Sequence, residues 1–156
     1  MPILMDYEQF GESTIKGYEK YIDIQSFSFG TGRAIKAASG QSTREGDIVS
    51  VSEVQISKES DGSTLKLFQE SLMGALDKTV KIAFVRTGGD EPKCYLRFEL
   101  EGCGISGFSM TGGSDRPSEQ LSLNFDKVTM FYNPVGDGLA GNEGNFSWNM
   151  ATGTKT

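Results

Sequence analysis

The chain has 156 residues, a formal net charge of −6 and no histidine, a size at which one domain spanning 1–156 buries a proper core without disulfides or a structural metal. The acidic balance excludes a duplex nucleic-acid partner, which would need a basic face to release counterions, and argues against an anionic membrane surface. Without histidine there are no catalytic triads, histidine general bases or histidine metal sites.

The 20 glycines, 10 phenylalanines and 5 tyrosines, with Ser and Thr spread among short apolar runs, favour strands and turns over helices. The opening MPILMDYEQF has too short an apolar run for a signal peptide and meets Asp6 and Glu8 at once. No stretch approaches the roughly 18 apolar residues of a membrane span, so synthesis in the cytosol without membrane insertion is expected. Residues 21–29, YIDIQSFSF, read as a strand with Ile22 and Ile24 on one face and Tyr21, Phe27 and Phe29 mostly on the other. Residues 30–47 show neither helical nor strand period and read as loop. The segment 48–57, IVSVSEVQIS, reads as a strand whose apolar phase slips between Val51 and Val54, a bulge signal.

A helix is predicted over 61–77, with Ser63 or Asp61 able to cap it and Leu65, Phe68, Leu72, Met73 and Leu76 at helical spacing. That stripe is expected to pack on the sheet as core. Strands resume at 79–86 and 93–101, joined by TGGDEP as a hairpin. Cys94, in phase with Leu96, Phe98 and Leu100, reads as the buried thiol. Cys103 lies past Gly102, where either a tight turn or a continuing strand would keep the two sulfurs too far apart for a disulfide. Then follow a strand at 103–110, the loop MTGGSDRPSE, the run 121–132, a Gly/Asn-rich loop at 133–145 and a last strand FSWNM.

The run 121–132 is unusually long. Leu121, Leu123 and Phe125 alternate on one face and Val128, Met130 and Tyr132 in the opposite parity, so one residue near Asp126 and Lys127 is extra. At roughly 3.3 Å per residue the stretch would span about 40 Å. Long strands with bulges and glycine kinks let an antiparallel sheet curl and close. The predicted fold is mainly β, a compact antiparallel β-barrel of two curved sheets with one α-helix docked on it.

Little catalytic chemistry is available. The glycine-rich stretch at 30–40 fits neither dinucleotide nor phosphate-loop spacing, and no cofactor is implied. Glu99 and Glu101 share a strand face and could form an acid/base pair, but a solvated face opposite Leu96, Phe98 and Leu100 accounts for them. Residues 30–44 hold Arg33, Lys36 and Arg44 with no acid, a local +3 in a chain of −6, so the remainder carries −9. This arm can be a solvated loop or can dock on the acidic surface of a neighbouring copy. In the second reading Gly30, Gly32 and Gly40 give it reach, Ile35 supplies a small apolar contact and the three cations meet acidic partners.

Four stretches, GESTIKGYEKYIDIQSFSFG, the helix after a Lys-Glu-Ser-Asp run, GFSMTGGSDRPSEQLSLNFDKVTMFY and the closing GNFSWNM, together resemble the haemolysin-coregulated protein (Hcp) family, the tube protein of bacterial type VI secretion. The resemblance covers essentially the whole chain and includes Gly11, Glu12, Ser13, Phe146, Trp148 and Asn149. One departure is GSTLKL at the helix start, where relatives often carry Ser-Pro. The resemblance implies a homohexameric ring with a wide lumen. Such rings stack into a tube inside a contractile sheath, meet sheath, spike and effector proteins, and leave the cell without a cleaved signal peptide. In such a ring the long strand would span the wall, and the arm would contact the next ring. The reading is a non-enzymatic tube subunit. The alternatives are a soluble barrel or sandwich module binding a small ligand or carbohydrate, and a carboxylate hydrolase.

Overall fold

A computed structural model of the chain describes residues 2–36, 45–113, 115–136, 139–140 and 144–156. In chain order these form β1 (Ile3–Asp6), β2 (Ile22–Ile24), β3 (Ser26–Ser28), β4 (Thr31–Lys36), β5 (Glu45–Val51), β6 (Val54–Glu59), α1 (Thr64–Met73), β7 (Lys78–Arg86) and β8 (Lys93–Thr111). There follow β9 (Ser118–Asn124), β10 (Lys127–Tyr132), the short β11 (Val135–Gly136) and β12 (Leu139–Ala140), then β13 (Gly144–Asn149) and β14 (Thr154–Lys155). Every ladder is antiparallel. The class is as the composition foretold.

The longest strand is β8, at 19 residues. Its first half pairs with β7 on one side and β10 on the other, and its second half pairs with β9. The predicted long run at 121–132 is instead two strands, β9 and β10, broken at Phe125 and Asp126 and lying end to end along β8. The parity change was therefore a change of sheet and not a bulge. Opposite the break stands Gly102, with φ +61°, a backbone that side chains disfavour. A Cβ there would crowd the Asp126 carboxylate, and the Asp126 N–H donates to the Glu101 carbonyl at 2.9 Å. Both chains turn the corner together, so residues 93–111 are one strand with a kink.

A second corner lies at Gln25, where the chain passes from β2, paired with β1, to β3, paired with β6. Residues 21–29 are thus two short strands, and Phe27 and Phe29 turn inward with Ile22 and Ile24. The circuit β8–β7–β1–β2 continues through this corner to β3–β6–β9 and back to β8. Among the described residues no ladder joins β2 to β6, so the barrel is not closed by hydrogen bonds all the way round.

The core is aromatic at its centre. Phe27 and Phe29 lie 4.9 Å and 5.4 Å from Phe98 between ring centroids, Phe27 meets Phe84 edge-on at 5.2 Å and Phe29 reaches Phe125 at 6.4 Å. Around them pack Ile22, Val54, Ile82, Leu100, Leu121 and Leu123, all buried. A smaller cluster of Leu4, Ala83 and Val85 is covered by Ile15, Tyr18 and Tyr21.

Three expectations fail on side-chain placement or local pairing. The segment 30–47 is not loop throughout, because β4 and β5 pair over Thr31–Lys36 and Glu45–Val51, and the apolar slip between Val51 and Val54 marks where β5 ends and β6 begins. The predicted stripe faces out: Leu65, Leu72 and Met73 are 77, 72 and 75% exposed, and the buried helix residue is Leu67. Leu76 lies beyond the helix, which ends at Met73 and not at 77, and is 63% exposed. A helix resting on one strand buries only a narrow strip of its surface. Finally, Cys94 is only half-buried, because a register shift between Phe84 and Val85 carries it to the smaller cluster, and the core thiol is Cys103. Neither thiol is in a disulfide.

Two measurements check these placements. Leu67→Ala should cost about 2–5 kcal/mol in a denaturant titration through lost burial and a cavity, against less than about 1 kcal/mol for Leu65→Ala. Burial pushes the Cys103 thiol up to about 12, so a thiol reagent at pH 8 should label Cys94 in the folded protein and Cys103 only after unfolding.

Candidate interaction surfaces

The start of α1 is held by a buried polar network. Lys58 on β6 and Glu119 on β9 are both fully buried. The Lys58 ammonium donates its three N–H groups to Glu119 Oε2 and Asp61 Oδ1, each at 3.0 Å, and to the Glu59 carbonyl at 2.9 Å. Thr64 Oγ1 donates to the same Glu119 oxygen at 2.8 Å and accepts from the Asp61 N–H at 2.9 Å. Asp61 Oδ1 also accepts from the Ser63 N–H at 2.8 Å. Asp61, and not Ser63, is therefore the residue whose side chain organises the helix start. The network joins two strands and the helix at one point, which fixes the angle at which α1 leaves the barrel. Sequence reasoning missed Lys58 and Glu119 because each is a charged residue where strand alternation calls for an apolar one.

Further along, the Tyr7 hydroxyl donates to Glu70 Oε2 at 3.3 Å, and burial together with that carboxylate pushes the phenol well above its ordinary pKa. Lys66 lies 5.2 Å over the Phe10 ring. These contacts pin one side of α1. On the other side Phe68 stacks edge-on over Phe108 at 5.6 Å, and with Leu65 and Met110 it lines an open cleft of about 350 Å³. Leu72, Met73 and Leu76 continue this apolar surface into solvent.

The hairpin β4–β5 is a separate two-stranded sheet, joined to the body at its base by the Gly30 and Ser52 backbones. Of the predicted arm residues, Gly30, Gly32, Arg33, Ile35 and Lys36 lie on its first strand or base, and Arg33 is exposed. Gly40 and Arg44 lie outside the described residues. The return strand brings acids the arm reading had left out. Lys36 is the register partner of Glu45, and Asp47 follows, so 30–51 carries +1 and not +3.

Charged side chains stand on the outer face of β8 and β10. Arg97 lies 4.1 Å over the Phe131 ring and 3.9 Å from Glu99, while Lys127 pairs with Glu101 at 3.4 Å. Glu99 and Glu101 are thus salt-bridged on a solvated face, as expected. Among the described residues no group of three or more Cys, Asp or Glu is placed to hold a metal, and no helix is long and apolar enough to cross a membrane. A cleft of about 380 Å³ has Glu12, Asp23, Glu59 and Asp61 on its walls, with Arg116 among them.

The motif positions have structural neighbours. A Cβ on Gly11 would overlap the Tyr21 carbonyl, and the Gly11 and Ser13 N–H groups donate to the Lys20 and Tyr21 carbonyls at 3.0 Å. Glu12 lies against Gly62 in the turn before α1. Trp148 packs on the core edge, Asn149 Oδ1 accepts from the Thr152 N–H at 3.1 Å in the turn to β14, and Phe146 is 53% exposed.

The sequence model of the family described as "Type VI secretion system effector, Hcp" matches residues 5–132. Solved structures share the fold over nearly the whole chain. One described as a type six secretion system protein is 24% identical, with 99% of each chain covered and a TM-score of 0.89. Hcp1 from Salmonella typhimurium is 17% identical, covering 99% of this chain and 98% of its own, with a TM-score of 0.75. A type VI secretion system effector from Yersinia pestis is 17% identical over 94% and 98%, with a TM-score of 0.72. No curated protein sequence matches.

Replacing Lys58 with Met should cost about 3–5 kcal/mol in a denaturant titration, because the Glu119 carboxylate is left buried and uncompensated. Pairing it with Glu119→Leu should recover at least half of that loss. Equal losses for the single and double variants would show that the ion pair is not the linkage that matters at the helix start.

Proposed function

The chain belongs to the Hcp family of type VI secretion proteins, and from that premise we propose that it is a structural ring-forming subunit of the secretion tube, not an enzyme. Six copies close a ring, rings stack into a tube inside a contractile sheath, and the lumen carries effectors. The family match over residues 5–132 carries this reading. The hairpin supports the stacking part: a lone two-stranded ribbon is marginal in water, so β4–β5 is suited to lying on another body. A ring of six carries a formal charge of −36 from the −6 of each chain. Screening confines that repulsion to about 8 Å at physiological salt, so stacking needs a local attraction at the contact. The hairpin, repeated six times, supplies it through exposed pairs of roughly 0.2–1 kcal/mol each and through its backbone edge. Sheath, spike and effector proteins are the expected partners, and export follows assembly.

Native mass spectrometry of the purified chain should give a hexamer, whereas a ligand-binding module would run as a monomer. Replacing Arg33, Lys36 and Arg44 together with Glu should leave the hexamer and abolish long tubes under the electron microscope. Tubes of parental length, or a ring that falls apart, would each assign the hairpin to a different interface.

A further inference from the structure

The barrel leaves an apolar surface uncovered on each of two opposite flanks. The first is the outer side of α1. Beyond Lys78↔Cys103 the second half of β8 has, among the described residues, a strand partner on one side only, β9, and α1 packs against this part of β8. There Phe68 stacks on Phe108, and a Cβ at Gly104 would overlap the Leu76 side chain. Having plugged that flank, the helix still presents Leu65, Leu72 and Met73, and the segment after it presents Leu76, each more than 60% exposed.

The second surface is on the other flank of β8, beyond β10. Cross-strand partners share a face, and the rungs there read Leu100↔Val128↔Trp148, Phe98↔Met130↔Phe146 and Leu96↔Tyr132↔Gly144. Phe98, Leu100 and Val128 are core. Met130, Phe146 and Tyr132 therefore stand on the core side of the sheet, yet they are 41, 53 and 54% exposed. The inner face of the sheet continues past the end of the core that covers it.

A surface helix usually turns its apolar stripe inward, and a sheet usually covers its inner face. Here each does the opposite, on opposite sides of the same chain. A monomer's largest apolar patch is usually about 300–600 Å². Leu65, Phe68, Leu72, Met73, Leu76 and Met110 on this flank are 47–77% exposed, and a standard interface takes about 800 Å² from each partner. Ring closure is heterologous, and it requires two different patches that fit each other. We propose that the outer face of α1 in one copy seats on the uncovered inner face of β10 and β13 in the next, so that each subunit's helix completes the core of its neighbour. This rests on the ring reading above and names the contact that closes the ring. The occupant is a second copy of this chain, with the apolar side chains of Leu72 and Met73 set against Met130 and Phe146.

The test uses two double variants of the full chain, Leu72→Asp with Met73→Asp for the helix face and Met130→Asp with Phe146→Asp for the sheet face. All four side chains are exposed, so both proteins should keep the parental circular dichroism and denaturation midpoint measured below the assembly concentration. Each alone should sediment as a monomer where the parent is a ring. Mixed in equal amounts, they retain one intact helix face and one intact sheet face between them, and they should form a 1:1 dimer that grows no further. A monomeric parent would sink the ring reading itself. A ring that survives in either variant, or a mixture that stays monomeric at 100-fold the parental assembly concentration, would overturn the helix-to-sheet contact and leave the ring reading standing. If the sheet-face variant alone dimerised and the helix variant did not, the helix would be pairing with another helix, and the proposal would be wrong.

Discussion

The fold depends on the continuous ladder between β8 and the collinear pair β9–β10. These two chains run side by side from Leu96↔Tyr132 to Thr111↔Ser118, and both bend at the same place, Gly102 against Asp126. Had only one bent, the ladder would have broken and left backbone groups unpaired in the core, which is costly. Because both bend, one strand serves two layers and the core fills the angle between them. The flanks follow from this. Above the corner β8 gains β7 and β10, and below it gains β9, so one flank is left for the helix and the other ends in β13 and β14.

Much of this was legible in the sequence, and the failures share a cause. Alternation identified the inner face of β8 and the outer place of Glu99 and Glu101, because apolar parity within one strand is local information. The same parity signalled an irregularity at 126–127 and another between Val51 and Val54. It could not say that these were changes of sheet, because a bulge and a corner leave the same one-residue slip. Cys94 was misplaced for a similar reason: a register shift set by its partner β7 moved it off the core face. The arm at 30–44 was read from its glycines, Ile35 and its charge, and its return strand, with Glu45 and Asp47, changed the charge balance.

Lys58 and Glu119 illustrate a different limit. Each breaks the apolar pattern of its strand, and only the cross-strand register Lys58↔Glu119 shows that they break it together. A buried ion pair adds little net stability over a well-packed apolar pair, but half of one is strongly destabilising. What the pair secures here is geometry. With Thr64 and Asp61 it fixes where the helix begins and hence which of its sides faces the barrel. Leu67 is turned inward, and the broad stripe that looked like core is turned out.

That stripe was read correctly as amphipathic, but it does not pack on the sheet of its own chain. Periodicity states that a helix has an apolar face; it does not state whether the complementary surface belongs to the same chain. The solvent-facing leucines of α1 and the exposed inner residues of β10 and β13 are, for an isolated chain, two defects that invite aggregation, as are the edges of β14 and β2 and the unpaired side of β8. Assembly with fixed rotation turns such surfaces into a closed set in which every patch has one partner and none is left over. In the ring proposed above, apolar patterning that exceeds what the chain's own fold can bury would record the assembly in the sequence of a single subunit.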